Sequence, residues 1–183
     1  MRRAPDPPGG SEPGVSTYIP LTGRLDRYGF ALVDVILAHP DTRLIGQVPN
    51  LETLHNNELP DRSARHPGLI DTGANRSSIT PEILGFLGLQ EDGGHRWVKR
   101  PSDPDWRQEP TYAVQMVFGG AFGIGISVTA DLVPPRGQKY RALLGCDVLA
   151  VCRLTYEGPR TVFPGGDAGG YTLHVPDFRP GRT

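Results

Sequence analysis

Leu69-Ile70-Asp71-Thr72-Gly73-Ala74 is the stretch that most narrows the choice of fold. An apolar pair runs straight into a carboxylate, and a hydroxyl residue, a glycine and an alanine follow at once. This order reads as the end of a buried strand that hands an Asp to a turn. Gly73 supplies backbone freedom, or room for another chain to approach, that a Cβ would remove. A carboxylate at the end of a buried strand needs a partner or a task, because burying it unpaired is costly. Two readings stay open at this point: Asp71 caps its own turn through the backbone, or it does chemistry.

Short elements are expected throughout. Gly and Pro number 24 and 19 among 183 residues, which favours many strands and turns over long helices. The length suits one domain with a sizeable core. Residues 1–17, rich in Pro, Gly and Ser, read as a disordered tail, 18–176 as the domain, and 177–183 as a loose C-terminal tail. The net charge is −1 with the two signs well mixed, which offers no electrostatic footprint for nucleic acid or an anionic membrane. Arg2 and Arg3 are followed by no apolar segment of the kind a secretory signal carries. The longest apolar run, Phe30–Ala38, is broken by Asp34 and is too short to cross a bilayer. A soluble protein in a reducing, cytoplasmic setting is expected. Cys146 and Cys152 are read as small buried hydrophobes, the five histidines are scattered, and no metal or cofactor is expected.

Phe30–Ala38 is β-branched and predicts a strand. Residues 39–67 form a mostly polar excursion over the domain, with a short helix expected over Leu51–Leu59 between an Asn50 cap and Pro60. Thr80-Pro81-Glu82 is a helix start, Ile83–Leu87 its apolar body, and Gly88 its stop. His95–Gln108, with Trp97, Pro101, Pro104 and Trp106, reads as a long hairpin with a mobile tip. Thr111–Phe118 and Ala121–Leu132 predict two strands joined at Gly119-Gly120. Short strands are expected at Arg153–Tyr156, Thr161–Phe163 and Tyr171–Val175.

Leu143-Leu144-Gly145-Cys146-Asp147-Val148-Leu149 is the second informative stretch: an apolar pair ending on glycine, then a short helical turn. An apolar-Asp-Thr-Gly-Ala turn, several strands, then Leu-Leu-Gly-x-Asp-x-Leu resembles the retropepsin family of aspartic proteases. The look is closest to its single-domain cellular members, including bacterial ones. The match spans Phe30 to Val175, is most specific over Leu69–Ile79 and Ala142–Leu149, and includes Leu87-Gly88-Leu89.

The resemblance implies an all-β, closed barrel-like fold with one or two short helices, working as a homodimer. Two carboxylates brought together share one proton, so one can act as base on water while the other donates to the developing oxyanion. The chain holds one Asp-Thr-Gly, so a working pair requires Asp71 from each of two copies. By the same resemblance Thr72 would bond across the two-fold axis. Gly73 would lie beside the substrate backbone, Ala74 would pack close by, and Leu143, Leu144 and Gly145 would wall the loop from water. Asn75 stands where retroviral members carry an acid that grips substrate, and Asp147 is expected to be tied to Arg76 or to backbone. The Trp97–Trp106 segment falls where such proteases carry a flap over substrate, with Ser102-Asp103-Pro104-Asp105 in place of a glycine-rich tip. The bland reading is that both tryptophans anchor a surface hairpin to the core. The function implied is aspartic endopeptidase activity on proteins or peptides. A dimerisation or peptide-binding module with weak or no activity is the alternative.

Overall fold

The strand carrying the central apolar run, β2 (Leu32–Ala38), is buried on both of its faces, which is why its sequence is nearly continuous and not cleanly alternating. The computed structural model describes residues 18–26, 29–44, 51–99, 104–120, 122–157 and 169–177. One face of β2 (Val33, Val35, Leu37) enters the main core with Ile70, Met116, Phe118 and Leu144. Its other face, Ile36 and Ala38, packs with Val117 against Leu44, Leu51 and Leu59. Those three leucines come from the 39–67 excursion, so this segment covers the outside of the sheet.

The chain continues through β3 (Ser63–Ile70), β4 (Ser78–Ile79), helix α1 (Pro81–Leu87), β5 (Glu91–Val98), β6 (Arg107–Phe118) and β7 (Phe122–Thr129). It then forms β8 (Ala142–Leu144) and helix α2 (Cys146–Leu149). The seven-stranded sheet has the order β2-β3-β8-β4-β7-β6-β5, and β2 also pairs with β6. That extra pairing closes six strands into a barrel and leaves β5 on its flank. A second sheet joins β1 (Tyr18–Arg24), β10 (Gly170–Pro176) and β9 (Arg153–Glu157) in the order β1-β10-β9. Leu173 and Val175 of this sheet reach the main core, and the Tyr171 hydroxyl donates to the Leu32 carbonyl. The expected all-β closed barrel with short helices is the architecture found.

Several local expectations are met. Helix α1 starts after Thr80 with Pro81 in its first turn and ends on Gly88, whose φ of 64° is left-handed. The β5–β6 hairpin is present, with the tip residues 100–103 outside the described residues. The β6–β7 hairpin is present too, although β7 stops three residues short of Leu132.

Others are corrected. Leu51–Leu59 forms no α-helix, only a single 3-10 turn at Asn56–Glu58. The Leu51 and Leu54 carbonyls that a helix would use are taken by the Arg65 guanidinium at 2.8 and 3.4 Å. The proposed Asn50 cap, the Thr161–Phe163 strand, the 1–17 tail and residues 178–183 lie outside the described residues. Cys146 is exposed, not buried. It opens α2 and its thiol donates weakly to the Thr72 carbonyl at 3.7 Å. Cys152 is half-buried, and burial pushes its thiol up to about 11. Among the described residues no helix is long and apolar enough to cross a membrane.

Candidate active site

β3 ends at Ile70 and delivers Asp71 to the turn. It runs parallel to β8, with Leu69 opposite Leu143 and Ile70 opposite Leu144. β4, which follows the turn, pairs antiparallel with the same β8 through Ser78–Leu143 and Ile79–Ala142. One short strand therefore grips both ends of the 71–77 loop. The Asp71 N–H donates to the Leu144 carbonyl at 3.0 Å, and the Cys146 N–H donates to the Ala74 carbonyl at 2.8 Å. The paired apolar motifs are needed because each supplies one side of this clasp.

Within the loop, the Ala74 N–H donates to the Asp71 carbonyl at 3.2 Å. The Gly73 N–H donates to Asp71 Oδ1 at 2.8 Å. Asp71 thus does cap its own turn, as the bland reading held, and does so through one oxygen alone. None of the described residues bonds Oδ2, and the half-buried carboxylate lines an open cleft. Gly73 is not left-handed; a Cβ there would face Asp71 Oδ1 at 3.2 Å, so glycine serves the approach of the carboxylate to the amide.

Behind the loop sits a hub that the sequence did not reveal. Ser77 is 0 % exposed. Its N–H donates to both carboxylate oxygens of Asp147, at 2.9 and 3.1 Å, and its hydroxyl donates to Asp147 Oδ1 at 2.6 Å. The same hydroxyl accepts the Gly145 N–H at 3.0 Å. A Cβ at Gly145 would lie 2.6 Å from the Arg76 carbonyl oxygen, so only glycine lets the two motifs touch. Of the two ties expected for Asp147, to Arg76 or to backbone, the backbone one is made. Asp147 holds Ser77 and the Val148 N–H, and Arg96 of β5 lies 3.9 Å away.

The cleft has a volume of about 730 Å³. Asp71, Gly73, Ala74, Asn75 and Leu143 line it from the loop side, while Leu144 and Gly145 are buried behind them. Thr72 is exposed and is not among the residues that line the cleft. Trp97 and Trp106 both line the cleft and are 66 % and 61 % exposed, so they do not anchor the hairpin to the core. Tyr140 is buried close enough for the Asp71 charge to add to burial in pushing its phenol up. Arg76, Arg96, Lys99 and Asp131 also line the cleft, and none was singled out by the sequence as a cleft residue.

Among the described residues no histidine lines the cleft, which leaves no Ser–His or Cys–His pair there. No set of three His, Cys, Asp or Glu side chains among them could hold a metal. The site presents a carboxylate with one oxygen braced by an amide and the other without a hydrogen-bond partner among the described residues.

No protein-family model matches the sequence, and no curated protein matches it. Among solved structures, it is similar to a retropepsin-like aspartic protease from Rickettsia conorii, at 16% identity and a TM-score of 0.42, over 86% of this chain and 95% of that one.

Proposed function

We propose that the chain is an aspartic endopeptidase whose active form is a homodimer, with Asp71 of two copies forming the catalytic pair. The observation that carries this reading is the state of Asp71: it follows directly on a buried strand end, is clasped by β8, and lines a cleft of about 730 Å³ with one carboxylate oxygen unbonded. A self-capping turn alone does not require a cleft in front of it.

In the dimer the two carboxylates share one proton. The ionised one takes a proton from water as the water oxygen attacks the peptide carbonyl carbon. The protonated one gives its proton to the carbonyl oxygen, so the charge never builds up as a bare oxyanion. Proton transfer to the amide nitrogen then lets the C–N bond break. Thr72 would join the two loops across the axis, and Leu143, Leu144 and Gly145 would keep bulk water from the loop. Gly73 and Asn75 would lie along the substrate backbone, and Trp97 and Trp106 would close over its side chains.

The solvent-facing tryptophans equally suit a module that binds peptides without cutting them. Asp71→Asn separates the two. The substitution keeps the shape and the Gly73 bond, so the endopeptidase reading expects a folded protein with cleavage of denatured protein substrates abolished between pH 3 and 7. Cleavage at the parent's rate by Asp71→Asn would remove Asp71 from the chemistry.

A further inference from the structure

The geometry points to a substrate preference: the cleft selects peptides with an acidic side chain a few residues from the bond cut, and Arg76 is the residue that recognises it. The inference rests on the peptide-cleft reading above and adds the chemical class of ligand.

Charge is unevenly placed on this molecule. The whole chain is close to neutral, at −1. The cleft carries three cations, Arg76, Arg96 and Lys99, against two carboxylates, Asp71 and Asp131. Of the two, Asp131 accepts the Thr129 hydroxyl at Oδ1 at 2.7 Å and keeps its full charge. The other is Asp71, and in a pair sharing one proton its mean charge is halved. A peptide in this cleft therefore meets a net positive wall.

The three cations are not equivalent. Arg96 sits opposite Glu109 across the β5–β6 ladder and 3.9 Å from Asp147, so it has acidic neighbours within the protein. Its Nη1 is nevertheless buried without a hydrogen-bond partner. Lys99 lies toward the hairpin tip on an exposed stretch. Arg76 is exposed, makes no ion pair among the described residues, and has its backbone pinned against Gly145. A fixed backbone under an unengaged guanidinium is the arrangement that recognises a carboxylate with little loss of freedom. The neighbouring tryptophans supply flat apolar surface for the residues beside the acid.

The test compares three peptides of one sequence that differ at a single position, Glu, Gln or Lys, placed in turn at each site around the bond cut. Cleavage is measured with the parent, Arg76→Gln and Arg76→Glu. Binding to Asp71→Asn is followed in parallel through tryptophan fluorescence, so the answer does not depend on turnover. A Glu-over-Gln ratio of roughly tenfold at low salt is expected at one position, shrinking as salt is raised. The ratio should fall to about one in Arg76→Gln, and Arg76→Glu should reverse it toward the Lys peptide. Cleavage with Glu and Gln within twofold at every position would overturn the preference and leave the endopeptidase reading intact. A preference that survives Arg76→Gln would overturn the assignment to Arg76. Neither binding nor cleavage of any peptide would overturn both.

Discussion

Removing the Asp147 carboxylate should cost more stability than its place outside the cleft suggests. Asp147→Ala leaves the Ser77 N–H and hydroxyl without their acceptor, and Ser77 has no access to water. Each stranded buried donor costs about 1–3 kcal/mol. The hydroxyl can rotate to recover part of this, which puts the total at roughly 3 kcal/mol. The ion pair with Arg96 adds little at 3.9 Å. For a chain of this length 1 kcal/mol moves Tm by about 2–4 °C, so a fall of roughly 6–12 °C is expected. Thermal unfolding at one fixed protein concentration reads it, since dimerisation would make Tm concentration-dependent. Asp147→Asn keeps one acceptor oxygen and should lose about half as much. In a Ser77→Ala background, Asp147→Ala should cost about 1 kcal/mol less, because one of the stranded donors is already gone. A Tm shift under about 2 °C for Asp147→Ala would refute the hub.

The exposed tryptophans of the cleft, the only two in the chain, make binding visible: a bound transition-state mimic such as pepstatin should shield both from acrylamide, and unchanged quenching at saturation would place the ligand elsewhere. At pH 8 a thiol reagent should modify Cys146 quickly and Cys152 only on unfolding, because a thiol held near 11 is thiolate in about one molecule in a thousand; equal rates would contradict the burial of Cys152. Burial also raises Tyr171, to about 12. Both groups are stabilised in their protonated forms, so their contribution is intact below pH 9 and is lost as pH rises from 9 to 12. A midpoint of urea unfolding that stays constant across that range would contradict this.

What could be read from the sequence was what is local. Leu69–Ala74 and Leu143–Leu149 carry their geometry in adjacent residues, and Thr80-Pro81 and Gly88 bracket α1 by backbone preference alone. The Ser77–Asp147 hub was hidden because its partners lie 70 residues apart and meet only once β8 threads between β3 and β4. The tryptophans misled in their bland reading because aromatic bulk usually means core, whereas here it faces a cleft. The missing helix at 51–59 shows a distant side chain, Arg65, overriding a local cap signal.

The central claim is that one active site takes an Asp71 from each of two copies. Refolding the parent together with a ninefold excess of Asp71→Asn, at constant parent concentration, tests it most directly. Random pairing leaves about a tenth of the parent's paired sites, so activity should fall to about a tenth. Activity unchanged by the excess would mean that a single copy carries a complete site, and would contradict the account.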